Sequence, residues 1–593
     1  MNTTVRTMLC CLSIFIAVNG CSERATYIGI DGSVWEEVCE PGFGSQDNIG
    51  IVALCPYRDS LYAVTRNNVT GFEIWKMTDD EWEQVSVPGF TDGPLHEYMI
   101  NIWGDLIVFK DRLYCAVSSG YQGSKLYRSI GFEIWRTDGE TWEPLISNAL
   151  DEDESGTISR IDDCSDNDNN TTAVVIDDSK NWTADQWKGG ILRILSGQGK
   201  GRLFSIVSNT ENRLIIQSDE IANDEKEYTI CDESYDVSGE IGRPTTDYTV
   251  YPVSPGDAYE IGIGDDENGM GELWNKTIVD METLGDTLYA TIGLNYEDGT
   301  RILHTTDGTT WSAMTDYAFG LFHGFDPEGN ETGVCLVEGL EYRNGSPVCS
   351  SGTNFGKAAL VGAETLFTGG TGSTGCNGRG ARAFRLDGDT WVPIVENYVD
   401  ENDEGTNENG FGYASSLTEQ NFQAWSWVAY DNKLFVGVVR LLGCRLMYTE
   451  TGSEEDGAWT FAVGNDAPVP DGFNGGRGES AGPYGYGNNL GCHLYTFSSA
   501  MYAGTIVSNI FPLEGAPAPD GADLWKATGP GDSLTWVPIT ENAFFDPAIV
   551  QFEAFVEYNG TLYVAGSNVV ASSFPGDEEG GYKGAKIFRL VSP

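Results

Sequence analysis

The chain has 593 residues, and 89 acidic side chains against 34 Lys and Arg give it a formal net charge of −55. This charge argues against nucleic acid as a partner, because phosphate binding requires clustered Lys and Arg. Hydrophobic residues make up 40 % of the chain and 74 residues are glycine, which excludes disorder for most of it and favours short strands joined by tight turns.

The N-terminal segment has the features of a secretory signal: Arg6, an apolar run from Met8 to Val18, and then Asn19, Gly20 and Cys21. A small residue directly before a cysteine resembles a lipoprotein signal, in which the cysteine is lipidated. We therefore expect residues 1–20 to be a signal peptide and Cys21 to be diacylated. The protein would then be exported and held at the cell envelope or outer surface by lipid only, with simple secretion as the alternative.

The cysteines that follow the signal indicate an oxidising compartment. Three of the 13 cysteines lie in the signal or directly after it, which leaves ten. An even number in an exported chain favours disulfides. We expect Cys164 to pair with Cys231 and Cys335 with Cys349, while the other six cannot be paired from the sequence. The alternative is that several of them are free, buried cysteines.

An apolar-aromatic pair recurs along the chain, each time after an apolar stretch and a tight polar turn. Two strands separated by such a turn form a β-hairpin. The seven pairs are Leu61-Tyr62, Leu113-Tyr114, Leu288-Tyr289, Leu366-Phe367, Leu434-Phe435, Met501-Tyr502 and Leu562-Tyr563.

Each hairpin is followed by a third predicted strand, and a fourth begins at a tryptophan after a turn such as Asp307-Gly308. Four strands per repeat make one propeller blade. The third strands are Phe72 to Lys76, Phe132 to Arg136, Arg301 to His304, Ala381 to Arg385, Arg445 to Tyr448, Ala522 to Lys526 and Ala585 to Arg589.

The seventh repeat lacks a fourth strand, and Asp31 to Val38 has the form of the missing piece. We therefore predict an all-β, seven-bladed β-propeller in which Val34 to Val38 pairs with Lys586 to Leu590 as the outermost strand of the last blade. Closing the ring in this way removes open sheet edges.

These motifs also carry a family resemblance. Cys39-Glu40-Pro41-Gly42-Phe43-Gly44, Leu61-Tyr62 and Gly71 to Lys76 resemble the repeat of secreted bacterial and archaeal β-propellers, which are mostly uncharacterised. The resemblance implies fold and location and carries over no catalytic residue. The turn before the tryptophan is similar to the Asp-box of sialidase-like propellers but one residue shorter, and a distant kelch-like similarity is the alternative. Asp-boxes are structural turns.

One interval between the pairs is much longer than the others, 175 residues against 52 to 78. Its central part has short β-like runs from Ala173 to Ile176, Ile191 to Leu195, Leu203 to Val207 and Arg213 to Gln217. We predict an inserted small β module at 147–271, flanked by blades 1–2 with the closing strand at 21–146 and by blades 3–7 at 272–593.

The predicted connections differ between the two faces of the propeller. Turns within the hairpins and between third and fourth strands are tight, whereas the connections on the other face are long and rich in aromatic and acidic residues. Long loops on a rigid scaffold usually carry binding function. Phe322, Phe325, Tyr484 and Tyr486 could stack on sugar rings, or instead pack over the blade ends.

An acidic stretch on the same face resembles a calcium loop. Asp400, Asn402 and Glu404 alternate oxygen ligands before a glycine, although Phe411 stands where a complete EF-hand needs an acidic residue. Calcium is therefore a possible ligand, a solvated acidic loop is the alternative, and no cofactor is required.

The sequence contains no specific catalytic constellation that we recognise. Arg136, Arg385 and Arg589 share a repeated third-strand position, where a cation can lie against tryptophan, so few arginines remain for a sialidase-type triad. We expect a non-enzymatic surface propeller that binds an extracellular glycan or surface protein through the long-loop face. A carbohydrate-active enzyme of sialidase-like, glycosidase or lyase type is the alternative, and a structural envelope component is the second alternative.

Overall fold

The protein is described by a computed structural model, whose strands all pair antiparallel in small sheets. No helix among the described residues is long and apolar enough to cross a membrane. The described residues are 24–67, 69–90, 104–118, 131–146, 154–162, 172–188, 190–197, 203–217, 235–236, 249–250, 253–262, 270, 277–293, 300–315, 355–360, 364–370, 381–395, 423–440, 443–453, 458–464, 467, 469, 472–473, 489–507, 521–540, 543–568 and 584–593.

The N-terminal part forms a strand pair and two four-stranded sheets, blades 1 and 2. The pair is β1 (Thr26–Ile28) and β2 (Val34–Glu37). Blade 1 is β3 (Asn48–Tyr57), β4 (Ser60–Asn67), β5 (Ile74–Thr78) and β6 (Glu81–Gln84). Blade 2 is β7 (Asp105–Phe109), β8 (Arg112–Val117), β9 (Glu133–Thr137) and β10 (Trp142–Ile146).

The insertion contains nine strands: β11 (Glu154–Thr157), β12 (Arg160–Asp162), β13 (Thr172–Ile176), β14 (Ile191–Ile194), β15 (Leu203–Asn209), β16 (Arg213–Gln217), β17 (Tyr235–Asp236), β18 (Thr249–Val250) and β19 (Ala258–Gly262), counted within the described residues. Seven of them form a separate sheet in the order β11-β19-β14-β15-β16-β13-β12, and β17 pairs with β18. The apolar core of the insertion includes Trp182, Trp187, Phe204 and Tyr259.

Blades 3, 4 and 5 repeat the four-stranded pattern. Blade 3 is β20 (Thr277–Leu284), β21 (Thr287–Gly293), β22 (Arg301–Thr305) and β23 (Ser312–Ala313). Blade 4 is β24 (Gly356–Ala358), β25 (Thr365–Gly370), β26 (Arg382–Asp387) and β27 (Thr390–Val395). Blade 5 is β28 (Gln423–Tyr430), β29 (Lys433–Val439), β30 (Arg445–Thr449) and β31 (Thr460–Val463).

Blades 6 and 7 complete the propeller. Blade 6 is β32 (Asn489–Phe497), β33 (Ala500–Val507), β34 (Leu524–Thr528) and β35 (Thr535–Thr540). Blade 7 consists of β36 (Gln551–Tyr558), β37 (Thr561–Ser567) and β38 (Lys586–Ser592), together with the N-terminal pair.

The predicted ring closure is confirmed. Strand β2 pairs antiparallel with β38, and Trp35, which lies opposite Leu590, is fully buried between blades 6 and 7. The expectation that β2 is the outermost strand is wrong, because β1 pairs with its other edge and places Tyr27 opposite Trp35. Tyr27 packs on the same apolar core as Trp35, which explains why a fifth strand is added.

Seven apolar cores, one at each junction between successive blades, hold the ring together. Burial between blades is the main stabilising contribution. Facing pairs within them are Tyr62 and Leu106 (blades 1 and 2), Ile134 and Ile278 (2 and 3), Ile302 and Phe355 (3 and 4), Phe367 and Trp427 (4 and 5), Leu446 and Leu494 (5 and 6), Leu524 and Phe552 (6 and 7), and Ile587 and Ile51 (7 and 1).

A repeated turn before the blades explains the Gly-Phe motif. Phe43, Phe90 and Phe473 each have a positive φ, 56°, 58° and 65°, directly after a glycine that also has a positive φ. This conformation costs about 1 to 2 kcal/mol for a residue with a Cβ. Each ring, in return, stacks on a third-strand tryptophan, with ring centroids 4.6, 4.3 and 5.5 Å apart.

On one face the hairpins end in very tight turns. Both central residues of Lys110-Asp111, Asp431-Asn432 and Ser498-Ser499 have positive φ, as two-residue type I′ turns require. The expectation of uniformly tight connections needs a correction, because longer ones join β24 to β25 and β30 to β31. We call this side the tight-turn face.

We call the first strand of each blade its inner strand. Tyrosines at the ends of three inner strands tie neighbouring blades on the tight-turn face. The hydroxyl of Tyr57 donates to the Asp111 carbonyl (2.8 Å), that of Tyr430 to Ser499 (3.1 Å) and that of Tyr558 to Asp59 (2.8 Å). Each bond runs from one blade to the hairpin turn of the next. These contacts give the tight-turn face a structural role.

The repeated third-strand arginines also join adjacent blades, as a scaffold role predicts. Arg136 donates to the carbonyl of Gly308 (2.9 Å) and Arg385 to that of Gly452 (2.8 Å). Both guanidinium groups also contact carboxylates, with Glu143 of β10 2.9 Å from Arg136 and Asp387 2.7 Å from Arg385.

The Asp-Gly turns similar to Asp-boxes have a structural role. The Asp307 carboxylate accepts bonds from the backbone N–H groups of Thr309 and Thr310, both at 2.7 Å. These bonds hold the pKa of Asp307 well below its usual range. The carboxylate fixes the turn before Trp311 and has no partner that suggests hydrolysis.

The cysteine prediction is corrected in part. Cys39, Cys55, Cys115 and Cys492 are buried and free, because each lies within an apolar core between two blades and packs there as a small apolar side chain. This confirms the alternative of free, buried cysteines. The predicted pairs of Cys164 with Cys231 and Cys335 with Cys349 lie outside the described residues.

Candidate functional site

The inner strands carry irregular positions near the end opposite the tight-turn face. In four blades the first strand has a β-bulge at the same position relative to the second strand with which it pairs. The extra residue at the bulge points its side chain in a different direction from that of a regular strand residue. The bulged residues are Val52, Val279, Trp425 and Glu553. Two blades thus have valine at this position, whereas blades 5 and 7 have an aromatic and an acidic side chain.

Glu553 lies at the centre of a buried polar cluster. The Nη2 atom of Arg66, near the end of β4, is 3.3 Å from Glu553 Oε2, and both side chains are 4 % exposed. The amide of Gln551 donates to the same oxygen at 2.7 Å, and the Ser567 hydroxyl donates to Oε1. Ser567 in turn accepts the backbone N–H of Ile51 at 3.1 Å. Blades 7 and 1 are therefore joined by a compensated pair of charges.

The cluster continues into blades 6 and 5. The Gln551 Nε2 atom is 3.2 Å from His493 Nε2, and the indole N–H of Trp425 donates to His493 Nε2 at 3.1 Å. Burial, together with the Arg66 charge, lowers the pKa of His493 to about 3. The imidazole is thus neutral at ordinary pH and serves as an acceptor for the indole.

We call Trp425, His493, Gln551, Glu553 and Arg66 the polar chain. It connects four successive blades, 5, 6, 7 and 1, and all of its members lie near the starts of first strands or the ends of second strands. Antiparallel pairing brings these ends together, on the side from which the long connections leave. Four of the five residues are buried, and Trp425 remains partly exposed.

A second cluster on blades 2 and 3 contains two carboxyl groups without a cation between them. Asp105 and Asp280 occupy the same repeat position and hydrogen bond to each other. Burial and the neighbouring carboxylates raise the pKa of Asp105 to about 6 and that of Asp280 well above its usual value. We call these two residues the carboxyl pair, and their raised pKa values favour retention of a proton between them.

The carboxyl pair also belongs to a set of ties between inner strands. Asp105 accepts the N–H of Met281 at 2.9 Å and Asp280 that of Phe355 at 2.5 Å. In blade 5 the hydroxyl of Ser426, at the same repeat position, accepts the N–H of Leu494 at 2.9 Å. An inner strand has a ladder partner on one side only, so a side chain from the preceding blade satisfies its free N–H. The pair therefore also ties blades 2, 3 and 4 together.

The site residues predicted from the sequence lie outside the described residues. They are Phe322, Phe325, Tyr484 and Tyr486 for ligand binding, Asp400, Asn402 and Glu404 for calcium, and Cys21 for lipidation. Within the described ranges, no group of three or more His, Cys, Asp or Glu side chains is arranged to hold a metal ion. Calcium binding stays a prediction.

None of the polar chain was predicted from the sequence, where only the arginines of the third strands were considered as candidates. A signal was present: Glu553 is an acidic residue in the apolar first half of an inner strand, and Arg66 follows the apolar run of a second strand. Comparing equivalent repeat positions would have singled them out.

No protein-family model and no curated protein matches the chain. Among solved structures, it is similar to the polysaccharide lyase Uly1 (TM-score 0.37, 10 % identity, covering 93 % of this chain and 92 % of that one). It is also similar to Trypanosoma rangeli sialidase (0.27, 10 %, 96 % and 58 %) and to a glycoside hydrolase family 43 arabinoxylan arabinofuranohydrolase from Bacillus subtilis (0.26, 11 %, 52 % and 62 %). The family resemblance of the repeat motifs stays a prediction.

Proposed function

We propose that the protein binds an extracellular glycan at the end of the propeller that carries the long connections, without chemical turnover. The observation that supports this best is the polar chain, which runs through four blades and includes the partly exposed Trp425. An indole face offers an apolar platform for the C–H groups of a sugar ring.

The energetics of the polar chain favour a role beyond stability. A buried ion pair is a weak source of stability, since the desolvation of both charges offsets their attraction. The ties on the tight-turn face join adjacent blades with neutral tyrosine hydroxyls. The polar chain instead uses Arg66 and Glu553 to hold Gln551, which in turn holds His493. The result is a fixed orientation for the Trp425 ring.

The aromatic residues of the long connections fit the same proposal. We propose that Phe322, Phe325, Tyr484 and Tyr486 also stack on sugar rings, each stacked ring adding about 0.5 to 1.5 kcal/mol beyond its buried area. Replacing all four by Ala should therefore weaken glycan binding strongly. Binding to a surface protein in place of a glycan would show as retained binding to deglycosylated cells.

The test uses two positions on one strand. Trp425 and Tyr430 both belong to β28, but Trp425 lies at the long-connection end and Tyr430 at the tight-turn end. Trp425→Ala should weaken binding on a glycan array about tenfold, which corresponds to about 1.4 kcal/mol, whereas Tyr430→Phe should bind like the parent. Equal binding by Trp425→Ala and the parent would refute the proposal.

Glycan cleavage is the second candidate, and the carboxyl pair favours it. Two carboxyl groups, one of which keeps a proton near neutral pH, can act as a general acid and base. Incubation of the parent with polysaccharides, with Asp105→Asn as the control, decides between the candidates. If the parent releases products and the variant does not, the protein cleaves glycans, and catalysis takes the place of binding as its function.

We also propose that the protein is exported and attached to the envelope by a lipid on Cys21. This rests on the sequence from Met8 to Cys21. Cys21→Ser should move the protein from the membrane fraction to the soluble fraction. Identical fractionation of variant and parent would show that Cys21 is no anchor and leave ordinary secretion.

A further inference from the structure

On the basis of the proposed glycan binding, we further propose that Phe545 is a ligand-contacting residue, whose exposed ring stacks on one sugar unit of a polysaccharide at the junction between blades 6 and 7. This contact is independent of the polar chain. Three properties of Phe545 support it: its position in a repeated turn, its backbone conformation and its exposure.

Phe545 is the last residue of a turn that recurs between blades. Before blade 1 the turn is Gly42-Phe43-Gly44, and all three residues have positive φ, 60°, 56° and 89°. Its equivalent before blade 7 is Ala543-Phe544-Phe545, with φ of 46°, 58° and 70°. Phe544 takes the place of Phe43, because it is buried and its ring centroid lies 4.9 Å from that of Phe588, the third-strand aromatic. Phe545 therefore stands where the first repeat has glycine.

The backbone at Phe545 is unfavourable for a residue with a side chain. A Cβ atom in the left-handed region crowds the backbone, and glycine avoids this cost. At Gly44 an added Cβ would meet only Glu40 Oε2, at 3.5 Å, so a side chain at this place in the turn points away from the core. Burial of Phe544, which is 4 % exposed, compensates for its conformation, whereas Phe545 is 81 % exposed. Stability alone does not explain a phenylalanine here.

The exposure of Phe545 makes its ring accessible to a ligand. The interactions that Phe545 makes within the chain leave 81 % of its surface accessible, more than for any other large apolar side chain among the described residues. The turn joins the fourth strand of blade 6 to the first strand of blade 7, so it lies at the end opposite the tight-turn face. This is the end from which the long connections leave.

Contacts on both sides of Phe545 hold the turn in one conformation. On one side, the backbone N–H of Phe544 donates to the Thr540 hydroxyl at 2.8 Å. On the other side, the Asp546 carboxylate lies 3.0 Å from the Lys586 ammonium, and both of these side chains are 13 % exposed. The backbone that carries the ring is therefore already ordered, which reduces the entropy lost when a ligand binds.

A single exposed ring fits a sugar better than a protein partner. A stable protein interface buries about 800 Å² on each side around several aromatic or apolar anchors. In the connection that carries Phe545, the apolar side chains of Phe544, Ile549 and Val550 are buried, so they cannot form such a group of anchors with it. One aromatic face instead matches the C–H groups on one face of a pyranose ring.

Hydroxyl-radical footprinting measures contact at Phe545 directly. The full mature protein is oxidised alone and with xylan, arabinan, β-glucan or alginate, and the peptide that contains Phe544 and Phe545 is analysed by mass spectrometry. Because Phe544 is buried, oxidation of this pair reports on Phe545. A polysaccharide that the protein binds should lower the oxidation rate of Phe545 severalfold, while oxidation of the exposed Ile28 corrects for radicals that the polysaccharide consumes.

Two variants separate a ligand contact from a structural role. Glycine and asparagine both tolerate a positive φ, so Phe545→Gly and Phe545→Asn should have urea midpoints equal to or higher than that of the parent. Both should weaken polysaccharide binding about tenfold in affinity electrophoresis. Ile28→Thr removes an exposed apolar side chain at the tight-turn end, beside Val34 at the start of β2, and should match the parent in both measurements.

The other outcomes overturn the inference in distinguishable ways. Lower stability of both variants would show that the Phe545 ring packs within the chain. Unchanged binding by stable variants, or unchanged oxidation of Phe545 when a polysaccharide is bound, would show that the ligand does not reach this junction and leave the proposed glycan binding intact. Loss of binding to deglycosylated cells alone would assign Phe545 to a protein partner. If the parent binds none of the four polysaccharides, the proposed function is refuted as well.

Discussion

The polar chain and the carboxyl pair place buried carboxyl groups in similar positions on the inner strands, but they treat charge differently. Glu553 faces Arg66 at 3.3 Å and its charge is compensated. Asp105 and Asp280 face each other, and their pKa values are raised by burial and by the neighbouring carboxylates. A buried carboxylate with a cation remains ionised, whereas one that faces a second carboxyl group retains a proton.

This difference predicts opposite responses to pH on the two sides of the ring. In the polar chain, acid is unfavourable because His493 must stay neutral to accept the indole N–H. In the carboxyl pair, base is unfavourable because the shared proton is lost and two negative charges then face each other. The four variants below test this comparison, from the largest expected effect to the smallest.

Breaking the ion pair should have the largest effect on stability. Arg66→Met leaves Glu553 buried without a cation and should lower the free energy of unfolding by about 3 to 5 kcal/mol. Urea denaturation followed by tryptophan fluorescence measures this. The double variant with Glu553→Gln should recover part of the loss, because no charge is then left unpaired. If Arg66→Met alone is as stable as the parent, the buried Glu553 carboxylate does not need the charge of Arg66.

Acid should weaken the contribution of His493. The folded-state pKa is about 3 and the unfolded value about 6.5, so the unfolded chain takes up a proton first. The stabilising contribution is complete above about pH 6.5 and is lost as the pH falls towards 3. At pH 5 the loss is about 2 kcal/mol.

The measurement is the difference in unfolding free energy between the parent and His493→Asn at pH 7.5 and pH 5. We expect that difference to shrink by about 2 kcal/mol on acidification. An unchanged difference would mean that His493 titrates normally in the folded protein.

The carboxyl pair should respond with the opposite sign. The folded-state pKa values of Asp105 and Asp280 are raised, so the folded protein binds protons that the unfolded chain has released. Stability is then greatest at low pH and falls as the pH rises through about 4 to 6 and above.

Asp280→Asn removes this dependence while keeping an oxygen that can accept the Phe355 N–H. At pH 7.5 the variant should have a higher thermal midpoint, and its free energy of unfolding should be larger by on the order of 1 kcal/mol. At pH 4 it should differ little from the parent. Destabilisation at both pH values would show that the ionised carboxylate is required there.

Tyr430→Phe should have the smallest effect. It removes the hydroxyl that donates to Ser499 and Gly529, at 3.1 and 2.9 Å, and should cost about 0.5 to 1.5 kcal/mol. Because the hydroxyl donates to backbone carbonyls, which do not titrate, the loss should be the same at pH 5 and pH 7.5. A pH-dependent loss would contradict the separation of the two faces.

The sequence alone determined the repeated architecture. The apolar-aromatic pairs, the third strands and the turn before each tryptophan recur at every blade, and all seven third strands are found within a few residues of the predicted positions. The closing strand could be predicted because one repeat lacked a strand that the N-terminus could supply. Local periodicity and turn chemistry are properties of short segments, so they can be recognised without the fold.

Only the tertiary structure decided which residues form the candidate site. Arg66, Trp425, His493 and Glu553 come from four different repeats, and no spacing in the sequence relates them. They meet because ring closure places blade 7 beside blade 1 and because bulges re-aim Trp425 and Glu553. Whether a carboxyl group is paired with a cation or with a second carboxyl group depends on the neighbouring blade. A carboxyl group therefore meets a cation at position 553 and a second carboxyl group at position 280 for a reason that lies outside its own repeat.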